Sequence, residues 1–283
     1  MESENGMKKD KFCLVLATLI FGSMGLVVKK IPFASIPIAW CRGAIGCLTV
    51  LAFCLFSGQG LNVAAIRKNL RTLLISGCVL GGNWIMLFNA YKYTDVSIAT
   101  VCNYMAPVIV IFLSPALFKE KLSLIRVACV FSAVAGLGLV AAAALYAGMI
   151  ICNKRLRDIS CLDSCAAQLG TAALFLTPFF LAGGGISLDQ VGAADLLLLL
   201  CLGVIHAGAA FALYFTAFQG LSGQSVAALS YVEPAAAILL SFLILGERLT
   251  GVQLAGCVLA LGSTFVSELW GGGKEEKAPE VSL

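Results

Sequence analysis

Residues Asn89–Ser123 read NAYKYTDVSIATVCNYMAPVIVIFLSPALFKEKLS, and residues Thr216–Thr250 read TAFQGLSGQSVAALSYVEPAAAILLSFLILGERLT. A shift of 127 positions lays one stretch on the other without a gap. Ala90, Tyr104, Pro107, Ile111, Ser114, Glu120 and Leu122 then meet Ala217, Tyr231, Pro234, Ile238, Ser241, Glu247 and Leu249. Eight identities in 35, Leu113 on Leu240 being the eighth, is a small number, but both prolines and both Glu-basic-Leu endings stay in register. Unrelated apolar segments share composition readily and punctuation rarely, so the chain reads as a tandem duplication.

Composition says where such a duplication resides. Of 283 residues, 60% are hydrophobic and 12% are charged, about half the charged fraction of a soluble domain. Long apolar runs follow one another along the whole chain, which makes it an integral membrane protein embedded in a lipid bilayer. The net charge of +4 is carried by short basic clusters between these runs. That is a topology signal and not the basic face that nucleic acid would need.

Twelve cysteines form no disulfide framework. Cys13, Cys41, Cys47, Cys54, Cys78, Cys102, Cys129, Cys201 and Cys257 sit singly in apolar runs, where cysteine behaves as a small hydrophobe. Cys161 and Cys165 are the closest pair, and His206 is the sole histidine, too little for a metal site. The sequence calls for no cofactor.

Charge and turn residues bound the spans. They are expected near Phe12–Val28, Ile36–Ser57, Thr72–Ala90, Ser97–Phe118, Ser164–Ala182, Asp195–Phe218, Gln224–Leu245 and Thr250–Trp270. Lys8, Lys9 and Lys11 precede the first run like the start of a signal peptide. No cleavage site follows, so it is read as a membrane helix. The run Leu124–Cys152 is difficult: its 29 residues exceed one ordinary span and fall short of two. If it crosses twice, with the N-terminus inside, Lys and Arg divide 14 inside to 4 outside; if once, 10 to 8. The positive-inside bias favours two crossings. The expected plan is therefore all-α, with two five-helix repeats over 11–141 and 142–270 and a shortened junction between helices 5 and 6. A disordered cytoplasmic tail is expected over 271–283. Because five is odd, the second copy enters the membrane inverted, an architecture of secondary transporters.

The chain resembles the EamA family of the drug/metabolite transporter superfamily. The resemblance rests on FGSMGLVVK in the first helix, the arginine of AWCRGAIG in the second, and GGNWIMLFNAYKYT in the third. The two Tyr-x-x-Pro helices ending FKEKLS and LGERLT and the segment GVIHAGAAFALYF complete the ordered set. It implies ten helices, both termini in the cytoplasm of a multi-pass cell-membrane protein, and export of amino acids or related metabolites. Near Val140–Ala144 roughly two dozen residues of the family pattern are missing.

Polar groups inside the spans are the candidate site, since a charge at mid-bilayer costs at least about 2.5–3.5 kcal/mol. Arg42, two turns into its helix, is expected to hold a substrate carboxylate or help gate the cavity; the structural readings are snorkelling to the interface or bonding backbone carbonyls. Glu233 is the deepest carboxylate and the candidate coupling or substrate-contact group; the other reading is a static ion pair or hydrogen bond. Pro107 and Pro234 would free carbonyls of Asn103 and Ser230 beside Tyr104 and Tyr231, or serve only as packing kinks. Asn83, Trp84, His206 and Tyr214 suit a pocket for a zwitterionic or aromatic solute; each also serves as an ordinary interhelical or interface residue. Glu120 and Glu247, beside Lys121 and Arg248, read as helix-end anchors.

The leading function is thus a secondary transporter of a small-molecule substrate, with proton coupling through Glu233. The alternative is a non-transporting scaffold or passive channel, which the shortened junction would suit. Intramembrane catalysis would need clustered acids, histidines or an activated nucleophile, and ATP coupling would need a phosphate-binding loop. Neither pattern is found. Oligomeric state leaves no mark on the sequence.

Overall fold

In a computed structural model the described residues are 2–58, 60–104, 137–153, 155–186, 191–214, 221, 229–249 and the single positions 251, 254, 258 and 262. Pro107, Glu120, most of the span expected over Thr250–Trp270, the tail and the first part of the Leu124–Cys152 run lie outside them.

Among the described residues all regular structure is helical. The elements are α1 (Glu2–Lys30), α2 (Ser35–Phe56), α3 (Val63–Lys68), α4 (Leu70–Tyr93), α5 (Val96–Asn103), α6 (Leu137–Asn153), α7 (Cys161–Ala182), α8 (Ala193–Leu200) and α9 (Val232–Leu240). The α8 helix runs straight into a π-helical stretch, Cys201–Ala209, and α9 into a π-helical turn, Ser241–Leu245. Five segments are long and apolar enough to cross a bilayer: Met7–Lys30, Ser35–Phe56, Leu70–Tyr93, Cys161–Ala182 and Ala193–Tyr214.

Local chemistry sets the ends. Ser160 accepts the Asp163 amide at 3.0 Å, and Asp163 itself favours the positive end of the α7 dipole. Asn62 caps α3 through the Ala65 amide. Gly246, at φ 69°, stops the helix after Leu245, in a left-handed conformation that costs other residues strain.

The direction of packing carries the architecture. Trp40, Gly43 and Cys47 on α2 meet Thr177, Ala173 and Ala166 on α7 in that order. One series rises as the other falls, so the helices are antiparallel. The 127-residue shift that relates the repeats also places Gly43 on Gly170. Val96, Ser97 and Tyr104 meet Glu247, Ser241 and Glu233, so α5 and α9 run antiparallel as well. By contrast α1 lies parallel to α9, with Gly22 against Glu233 and Ala236 and Lys29 on Glu247.

Small residues permit these approaches, as they must where lipid offers no hydrophobic drive between helices. A Cβ on Gly77 would fall 2.5 Å from Thr171 Cβ, and one on Gly46 would fall 2.6 Å from Ala207 Cβ. The Gly77-x-x-x-Gly81 spacing seats α4 on α7 in this way.

The α6 helix, about 25 Å long at 1.5 Å per residue, lies antiparallel to α4. Asn83 bonds the Ala142 carbonyl and Ser76 bonds Asn153. Asn153 therefore sits at the end of the bundle that holds the α2–α4 loop. There Lys68 pairs with Asp158 at 2.5 Å, holding that carboxyl below its usual range. The Asn69 side chain bonds the Arg157 backbone twice.

Candidate functional site

Arg42 sits two turns into α2 and is 3% exposed. Its guanidinium carbon lies 4.3 Å from the centre of the Trp84 ring and 5.7 Å from that of Phe88, both on α4. Aromatic faces attract a cation, and they also hold the arginine back from the interface, so it does not snorkel. Nε and Nη1 are buried with no hydrogen-bond partner. Native structures leave few such donors unsatisfied, because each costs about 1–3 kcal/mol or more when charged.

Glu233 occupies the first turn of α9. Its Oε2 accepts the Tyr104 hydroxyl of α5 at 2.6 Å. The Tyr104 and Tyr231 rings, equivalent under the duplication, face each other at 6.4 Å. Arg42 and Glu233 lie within Coulomb range of one another and of Tyr91 and Tyr146, without a contact ion pair. The result is a polar zone between helices of both repeats that holds a cation, a carboxyl and several phenols.

The other sequence candidates divide. Asn83 donates to Asn103 Oδ1 at 2.9 Å and to the Ala142 carbonyl at 2.7 Å, fastening α4 to α5 and α6. His206 is 3% exposed. Its Nε2 bonds Ser23 Oγ on α1 at 3.0 Å, and its Nδ1 lies 3.2 Å from the Cys201 carbonyl. Both ring nitrogens are thus engaged by the protein. Tyr214 bonds Ser230, and its ring lies 6.3 Å from that of Phe21. Pro234 was expected in mid-helix. The chain instead turns at Tyr231 and α9 restarts at Val232, which places Pro234 in a first turn, where a missing N–H is tolerated.

Three contributors were not singled out in the sequence: Phe88, Tyr91 and Tyr146. Tyr91 is 2% exposed and its hydroxyl lies 3.2 Å from Thr100 Oγ1. Adjacent Lys92 makes Tyr91 look like an interface anchor, and Tyr146 lies in the one run whose span could not be drawn. The parity of Tyr91 with Arg42 across α2 and α4 leaves no linear signature. Among the described residues no cluster of His, Cys, Asp or Glu could hold a metal ion.

Comparison with known proteins places this arrangement. The EamA-like transporter family matches residues 11–142 and again residues 135–269. An uncharacterized transporter of Bacillus subtilis (strain 168) is 27% identical over 269 residues, covering 87% of this chain and 85% of that protein. An uncharacterized transporter of Archaeoglobus fulgidus is 25% identical over 278 residues, covering 92% and 97%. One crystal structure superposes with a TM-score of 0.63 at 17% identity, covering 92% of this chain and 98% of that one, a likeness of fold. A family match on each half, over a bundle of apolar helices, makes this an all-α membrane protein of two repeats, and the chain belongs to the EamA-like transporter family.

Proposed function

We propose that the protein is a secondary carrier that exports a small carboxylate-bearing metabolite, an amino acid or a related solute, across the cell membrane by alternating access. One observation carries this reading: a buried arginine on a helix of the first repeat has two unpartnered donors, within Coulomb range of a glutamate of the second. Arg42 holds the carboxylate. Glu233, released from Tyr104, carries the coupling proton or meets an amino group. Trp84, Tyr104, Tyr231 and Tyr214 supply aromatic walls, and Asn83, Asn103 and His206 fix the helices that bear them. The antiparallel pairing of repeat-related helices supports an inverted duplication, in which similar halves rock about a central site. Both termini then lie at the inner face.

The test is uptake and efflux by vesicles containing the full chain, across a panel of amino acids and related carboxylates, with and without an imposed pH gradient. Accumulation of at least one solute, driven by the gradient and lost in Arg42→Gln, is expected. Equilibration that ignores the gradient would mark a passive channel, and inertness towards every solute would mark a scaffold.

A further inference from the structure

Glu247 follows α9 and Gly246 at the end of the bundle where α1 finishes and α5 begins. Its side chain is 8% exposed and both oxygens are occupied. Oε1 pairs with Lys29 Nζ at 2.5 Å, and Oε2 accepts the Val96 amide at 2.9 Å. Val96 is the first residue of α5, whose own N-cap residue, Asp95, makes no side-chain cap. A carboxylate at that position satisfies an orphan N–H and meets the positive end of the helix dipole. The second repeat therefore caps a helix of the first.

The surrounding bonds extend the closure. Lys29 Nζ also donates to the Thr94 carbonyl at 3.3 Å. Lys92 donates to the carbonyls of Ile31 and Phe33. Further into the bundle the Ser97 and Ser241 hydroxyls bond to each other, both fully buried. Beyond them stands Tyr104 on Glu233. Between the central zone and this end of the bundle, polar contacts whose partners belong to different repeats thus join α5 to α9 and the turn that follows it. A cavity of about 350 Å³ opens beside Glu247, lined by Ile238, Phe242, Glu247, Arg248, Leu249 and Leu254.

We infer that Glu247, with Lys29 and the Val96 amide, is the latch of the outer gate: it holds α9 to α1 and α5 when the site is shut to the outside, and releases them when it opens. The inference rests on the carrier reading for its meaning, and on the bonds above for its location. It differs from an anchor role, which would predict general instability on loss of Glu247 and no change in access.

Two measurements on the full chain in lipid test it. Hydrogen exchange of the amides over 94–103 is compared between wild type and Glu247→Gln, with 35–56 and 161–182 as internal references. Labelling of Ser97→Cys by a membrane-impermeant thiol reagent is followed at peptide level in intact cells, with and without Glu247→Gln. Loss of one charge-assisted bond is expected to raise both rates by about tenfold or more, leaving the reference helices unchanged. Unchanged rates over 94–103 would overturn the latch. So would faster exchange spread through the reference helices, which marks a structural residue only. Labelling accelerated only from the inner face of inverted vesicles would overturn its assignment to the outer side. None of these readings needs a known solute, so failure of the vesicle panel remains a separate result.

Discussion

The contact of α2 with α7 and that of α5 with α9 each join repeat-related spans running in opposite directions, yet they are made of different materials. On α2–α7, glycine and small side chains let backbone meet backbone: a Cβ on Gly43 would stand 3.3 Å from the Ala173 nitrogen, and one on Gly170 would stand 3.3 Å from Cys47 Sγ. Trp40 stacks on Phe180 at 4.5 Å to finish the seam. On α5–α9 the joints are side-chain hydrogen bonds, from Glu247 through Ser97–Ser241 to Tyr104–Glu233. Close-packed seams have one good arrangement, whereas polar partners can be traded for water or solute. The duplication supplied two crossings of the same kind. Divergence left one close-packed and the other hydrogen-bonded, the material difference on which the gate inferred above depends.

Substitutions break or sharpen this contrast in a graded way. Gly46→Leu, which drives a side chain into Ala207 and Leu169, is expected to cost about 3 kcal/mol or more by overpacking. It should abolish a monodisperse folded species in detergent. Arg42→Met should do the reverse on two axes: transport falls at least about a hundredfold as the carboxylate loses its charge-assisted bonds. The melting midpoint rises, because two buried unsatisfied donors disappear. A midpoint that falls would show that Arg42 holds the fold together.

Glu233→Gln keeps an oxygen for the Tyr104 hydroxyl and removes the titratable group. Solute movement should survive in exchange mode while its dependence on the pH gradient vanishes; a preserved dependence would assign coupling elsewhere. Tyr104→Phe is milder, weakening transport by about tenfold, the worth of one bond to a charged group, with little change in the melt. Smallest of all is Asp158→Asn. Asp158 is exposed, paired with Lys68 and at φ 52°, a conformation Asn adopts more readily. Its lowered carboxyl contributes stability that is present above the unfolded-state value and fades as pH falls through the folded one. Exposed pairs are worth little, so the midpoint at neutral pH should stay where it was.

The sequence exposed the helical class and the duplication because apolar length and punctuation are local properties. The spans expected at Ile36–Ser57 and Ser164–Ala182 fall within three residues of α2 and α7 at either end. Arg42 and Glu233 stood out because charge within an apolar run is costly wherever it points. What surrounds them was not legible. That Trp84 and Phe88 would lie on Arg42, or that Tyr104 would reach Glu233, depends on helix rotation and register between segments far apart in the chain. Glu247 was legible as a helix-end residue, but nothing local discloses that its partners are Lys29 and the first amide of α5. The expected site role of His206 meets a different limit: an imidazole in an apolar run looks available until Ser23, 183 positions away, is seen to bond it.

The π-helical stretch at Cys201–Ala209 corresponds, 127 residues earlier, to part of α4, which keeps ordinary α-helical pitch. A wider coil turns the side chains after it onto a different azimuth from those of its twin. The two copies are thus unequal in backbone geometry. On the carrier reading proposed above, this asymmetry makes one resting posture more populated than the other, while the gradient alone sets the direction of net flux.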